Sequence, residues 1–254
     1  MNRQVYLNSQ DAYIFGRVFY FPFRDTMSIP PSCRFQLSVV DAQIPYSWYS
    51  VSENNNTIQV DDIIYTVPPG NYTVIQLLRE IRSLTGCSTS YDSIYNKATL
   101  TFTTQVTLGT PPESNDSLLA MLGFNLEPSY TGLTFVSDTV VNLLGFSAIY
   151  LRSNFTTTNL ESRTGSFSQI LCKCPVNASG NGVVSYTGSG FKSTIFEQNL
   201  SGISLMLEDE HGHEIDLNGQ PFQVTIQVDV QINPDQMPGY VNYRAAEQVP
   251  QAPQ

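Results

Sequence analysis

Seven consecutive residues, Glu208-Asp209-Glu210-His211-Gly212-His213-Glu214, hold four carboxylates and both histidines of the chain. Imidazole nitrogens and carboxylate oxygens are the ligands of zinc and calcium. The Asp-x-Asp-x-Asn-Gly order of a calcium loop is missing, however, and Asp-x-x-Gly between two strand-like patterns marks a turn. Unpaired charges stay in water, so a solvated turn is expected here and no metal. Asp61-Asp62 offers the carboxylate pair of glycoside hydrolysis, but neighbours on a strand point to opposite faces and cannot converge on one bond. Gly180-Asn181-Gly182 and Gly188-Ser189-Gly190 lack the following helix that would cradle a phosphate. Neither histidine lies near a Gly-x-Ser-x-Gly elbow. With no catalytic constellation in sight, the sequence predicts a protein that is not an enzyme and uses no cofactor.

Two further groups invite a chemical reading. Cys172 and Cys174 stand two apart in an extended pattern, which puts both side chains on one face with Cα atoms ~6.5–7 Å apart. That is a poor disulfide and half a metal site. Together with Cys33 and Cys87 they are expected to be reduced thiols of an intracellular protein. Tyr46, Trp48 and Tyr49 follow Pro45 as an aromatic cluster. Three roles are open to them: capping a core, anchoring a contact between subunits, or stacking on a sugar. Asn-X-Ser/Thr sequons at Asn55, Asn71, Asn115, Asn154, Asn177 and Asn199 are weak support for a glycoprotein.

The elements that carry these residues read as mainly β. The chain has 254 residues, 41% hydrophobic and 11% aromatic, enough for a sizeable core without disulfides. Only 13% are charged, so the surface is polar but largely neutral and suits broad protein contacts that desolvate few charges. The net charge of −10 is uneven, because residues 1–40 hold four Arg against two Asp. No Lys/Arg cluster exists to neutralise phosphates, so direct nucleic-acid binding is not expected. No apolar run approaches the ~20 residues of a membrane span, and residues 1–20 lack the apolar core of a secretory signal.

Read in order, residues 1–32 combine Phe19, Phe21 and Phe23 with Pro22, Pro30 and Pro31, which suggests an extended N-terminal arm. A strand runs from Arg34 to Ile44. Residues 57–125 change texture. Two short β segments lead into a helix that opens on the capping box Thr73-Val-Ile-Gln76, buries Val74, Leu77, Leu78 and Ile81, and stops at Gly86. A hairpin turning at Asn96-Lys97 and a short helix Ser117–Leu122 complete an α+β insertion. From residue 139 onward the segments Phe146–Arg152, Phe167–Val176, Val183–Tyr186, Ile203–Glu208 and Phe222–Ile232 are again β. In the last, Phe222, Val224, Ile226, Val228, Val230 and Ile232 alternate with polar residues without a miss, the mark of an antiparallel sandwich. Mixed long and short strands with long connections favour a jelly roll. The expected organisation is an arm at 1–32, a jelly-roll domain at 33–56 and 126–232, an insertion at 57–125, and a Pro/Gln-rich C-terminal tail at 233–254.

Several stretches, in this order, resemble penton-type minor capsid proteins of virophages, polinton-like viruses and related large DNA viruses. They are Ile44-Pro-Tyr-Ser-Trp-Tyr-Ser-Val51 with Asn54-Asn-Asn-Thr-Ile58, Val67-Pro-Pro-Gly-Asn-Tyr-Thr73, Ile149-Tyr-Leu-Arg-Ser-Asn154 with Ile170-Leu-Cys-Lys-Cys-Pro-Val176, and Ile203–Gly219 running into the last strand. The resemblance covers about residues 5–230. It implies a jelly roll that forms a homopentamer at the five-fold vertices of an icosahedral double-stranded DNA virus. It also implies major capsid protein neighbours, a place in the virion assembled inside the host cell, and no covalent chemistry. Two other readings stay open: a minor capsid protein away from the vertex, and a β-sandwich that binds a host glycan or receptor.

Overall fold

The computed structural model describes residues 2–109, 117–125, 130–155, 157, 159–162 and 164–232. The C-terminal tail and the Asn115 sequon lie outside these. The chain divides into two compact units, Met1–Ser47 with Ala148–Gln254, and Trp48–Ser147. The first unit opens with strands β1 (Asn2–Asn8), β2 (Tyr13–Phe15), β3 (Val18–Ser28) and β4 (Cys33–Pro45). The second unit contains β5 (Thr57–Val60), β6 (Ile63–Thr66), α1 (Val74–Thr85), β7 (Ser88–Asp92), β8 (Lys97–Gly109), α2 (Leu118–Met121) and β9 (Tyr130–Val136). The chain then returns to the first unit with β10 (Ala148–Ser153), β11 (Leu160–Glu161), β12 (Ser166–Phe167) and β13 (Ile170–Pro175). It closes with β14 (Val183–Thr187), β15 (Ser193–Thr194), β16 (Asn199–Glu208) and β17 (Gln223–Ile232).

Two antiparallel sheets build the first unit. Their orders are β1-β17-β4-β14, with β15 also on β4, and β13-β10-β16-β3-β2. Apart from β10 and β13, which are neighbours, successive main strands alternate between the sheets. This is the strand order of an eight-stranded jelly roll, with the second unit inserted in sequence between β4 and β10. Alternation explains the core: Phe222, just before β17, and Val224, Ile226 and Val228 along it are buried, as are Leu205, Leu207, Ile149 and Leu151 of the other sheet. The pattern outlasts its burial, for Ile232 is 53% exposed.

On β4 the inward set changes phase. Phe35, Leu37 and Val39 are buried, and then Ala42 and Ile44. The pairing with β17 jumps from Ile226↔Val39 to Thr225↔Asp41, leaving Val40 as the extra residue of a bulge. Gly188 sits against that bulge and donates its N–H to the Val40 carbonyl at 2.7 Å. A Cβ on Gly188 would lie 1.9 Å from the Val39 carbonyl oxygen.

The N-terminal arm expected at 1–32 is instead part of the sandwich. Asn2–Asn8 pair residue for residue with Asp229–Gln223 of β17, and β3 pairs with β16 from Leu205 to Asn199. The prolines misled because β3 is only partly flanked: β2 reaches no further than Tyr20, and Pro22 faces Gly202 where the β16 register shifts. An edge position beside an irregularity is where proline is tolerated.

The second unit is a sheet of order β6-β5-β8-β7, with β9 also on β8, covered by helices. The capping box at Thr73 forms: its hydroxyl accepts from the Gln76 N–H at 3.3 Å, and its own N–H donates to Gln76 Oε1 at 2.9 Å. Gly86 closes α1 in the left-handed region at φ +73°. Leu77, Leu78 and Ile81 are buried with Leu100, Leu108, Leu119 and Phe135 in one core, while Val74 is only half-buried. This unit spans 48–147, wider than the 57–125 expected, because β9 pairs with β8 over Thr131–Val136 and Trp48 packs on Phe146. Over residues 131–136 of β9 Phe135 is buried, while Leu133 and Val136 are more than half exposed, so its alternation is weak in sequence. Among the described residues no helix is long and apolar enough to cross a membrane.

Candidate assembly surface

The Glu208–Glu214 segment is a turn between β16 and β17, built around Asp209. Its Oδ1 accepts from the backbone N–H of His211 and of His213, both at 2.8 Å. Its Oδ2 lies 3.2 Å from His213 Nδ1, and Gly212 takes φ +87°. Glu214 turns to Arg17, 3.8 Å away, and Glu208 is buried beside Arg152 on the face of the sheet opposite Leu205 and Leu207. Glu208 and Glu214 therefore turn away from the Asp209–His213 pair, and no group of three metal-ligating side chains occurs among the described residues. Asp61 is likewise a turn residue, at φ +53°, and its Oδ1 accepts from the Thr107 N–H.

Glu208 instead joins a buried charge cluster that sequence reading missed. Arg152 on β10 donates from Nε to Glu208 Oε2 and from Nη2 to Glu161 Oε1, the latter at 2.6 Å. Burial opposes the guanidinium charge, but the hydrogen bond to Glu161 and the charge of Glu208 outweigh it and hold Arg152 above its usual value. The cluster clamps the β11–β12 hairpin to the sheet at β10 and β16. Glu208 lies 56 residues from Arg152, so only the β10–β16 pairing brings them together.

The aromatic trio is divided between the units. Tyr46 continues the β4–β14 edge, its N–H donating to the Gly182 carbonyl at 2.9 Å. Trp48 is 3% exposed and stacks on Phe146 at 4.9 Å, while Tyr49 is 44% exposed. Three sequon asparagines serve their own backbone: the side-chain N–H groups of Asn55, Asn71 and Asn177 donate to Ser50, Trp48 and Ser185 carbonyls. Cys172 and Cys174 are buried free thiols with Sγ atoms 3.6 Å apart. Their mutual hydrogen bond, together with burial, pushes the Cys172 thiol well up. A hollow between the two sheets is lined by apolar side chains alone, among them Val5, Leu7, Leu37, Ile203 and Ile226.

Large apolar side chains stand in solvent at specific places on the first unit. On edge strand β2, Tyr13, Ile14 and Phe15 are all 60–67% exposed, so both faces of that strand lack cover. Arg17, after the turn, donates from Nη1 to the Glu214 carbonyl at 2.8 Å and pins the hairpin to the β16–β17 turn. Elsewhere Leu160, Phe167 and Phe196 are exposed beside one another. Exposed strand edges with apolar side chains are sites for pairing with another chain.

No protein-family model matches the chain, and no curated protein does. Among solved structures, the chain is similar to the selenomethionine-labelled penton protein of mavirus. The two share 14% sequence identity and a TM-score of 0.49, over 90% of this chain and 100% of that one.

Proposed function

We propose that this chain is a structural capsid protein, without catalytic activity, that assembles through the edges of its jelly roll. The observation that carries this reading is β2, where three consecutive large apolar residues stand 60–67% exposed on a sheet edge. A chain with only 13% charged residues supports it, since little charge must be desolvated on assembly. The motif order in the sequence resembles penton-type proteins and supports the finer reading: a homopentamer at the five-fold vertex, contacting major capsid protein neighbours. A sugar-binding role draws less support, because Trp48, the strongest stacking residue of the trio, is buried against Phe146.

Replacing Ile14 and Phe15 by Ser tests the surface directly. The variant is expected to keep the circular dichroism and melting temperature of the parent while sedimenting as a monomer. A variant that assembles as the parent does would remove β2 from the interface.

A further inference from the structure

The patch of Leu160, Phe167 and Phe196 is built differently from a floppy loop. Leu160 and Phe167 are paired across the β11–β12 hairpin, and the Phe167 and Phe196 rings lie 5.8 Å apart. All three are exposed, at 74%, 56% and 49%. Their supports are buried or half-buried. Glu161 is held by Arg152, Asn159 Nδ2 donates to Ser193 Oγ at 2.7 Å, and Thr157 bridges Ile195. An apolar platform locked in place in this way loses little conformational freedom when something covers it.

The position of the last described strand says what is within reach. β17 ends with Val230 opposite Phe35 and Ile232 opposite Cys33. On the other side of β4 the Phe35 carbonyl accepts from the Ile195 N–H at 3.1 Å, and Lys192 pairs with Asp229 at 2.7 Å. Phe196 therefore follows a residue only two strand spacings, ~10 Å, from the end of β17. Residues 233–254 continue from that point. At ~3.3 Å per extended residue, the stretch up to Tyr243 reaches ~36 Å, several times the gap. It carries Met237, Tyr240, Val241 and Tyr243 among few charges, and an extended chain presents Val241 and Tyr243 on one face. Tethering so close gives a high effective concentration, so even weak apolar contacts suffice.

We propose that the Leu160–Phe167–Phe196 patch is the docking site of the chain's own segment Met237–Tyr243. The patch is a clasp for the C-terminal segment, separate from the β2 edge, and it does not depend on the capsid reading. The test uses the full chain with Phe167→p-benzoylphenylalanine, irradiated and mapped by mass spectrometry. The expected product is a crosslink to residues 237–243 in a chain that still migrates at 28.3 kDa on a denaturing gel. Adding Tyr240→Ser, Val241→Ser and Tyr243→Ser, which replace no described residue, is expected to abolish it. The same photoprobe at Phe196 gives an independent reading should the Phe167 variant not fold. Crosslinks that miss the segment overturn the proposal, as do crosslinks that double the mass by joining two chains.

Discussion

Arg152 keeps a buried positive charge under the β11–β12 hairpin only because Glu161 and Glu208 meet it there. Removing it as Arg152→Met leaves two carboxylates buried without a counter-charge, which costs about 3–5 kcal/mol in such clusters. Urea unfolding is expected to show that loss. Replacing Arg152, Glu161 and Glu208 together by apolar residues should recover most of it, because desolvation then falls on no charge. Asp229 gives a pH signature instead. The Lys192 ammonium, hydrogen-bonded at 2.7 Å, holds its carboxyl below the usual carboxylate range, with Gln227 assisting against partial burial. A carboxyl with a depressed folded-state pKa contributes stability above the unfolded value, about 3.9, and loses it as pH falls through the folded value. Thermal melts from pH 6 downward are therefore expected to show a smaller acid-side drop in Asp229→Asn than in the parent. Neither partner choice was visible in sequence. Glu208 read as one more charge of a hydrophilic turn, and nothing local distinguishes it from Glu210.

At the scale of elements, what was legible was local. Helix α1 carries its start in Thr73 and Gln76, its stop in Gly86 and its buried face in Leu77, Leu78 and Ile81, all within fourteen residues. Strand β17 announces itself by alternation. Strands β1 and β3 were misread as an arm because what makes them strands lies far away in sequence, in β16 and β17. Bulges were equally hidden, since a change of phase such as Val39 to Ala42 looks like a lapse in pattern. Gly188 is where such a bulge imposes a residue. Its missing Cβ makes room for the Val39 carbonyl, so Gly188→Ala is expected to cost at least the 1–3 kcal/mol typical of overpacking, roughly. Chemical denaturation would reveal it, and an unchanged midpoint would mean that β4 shifts freely at the bulge.

For the whole molecule, eight main strands in two sheets form a jelly roll, with an α+β unit inserted between the third and fourth. The broad class and the existence of an insertion were readable from period-two segments interrupted by a helix-bearing stretch. The insertion's edges were not, because β9 depends on β8 rather than on its own pattern. Nor did sequence reveal that Tyr46 and Trp48 fall in different units, or that apolar side chains crowd β2. These features bear on assembly. The most direct test is the native mass of the purified chain. Assembly as a vertex protein predicts a species near five times 28.3 kDa. A chain that stays strictly monomeric at all concentrations would contradict it.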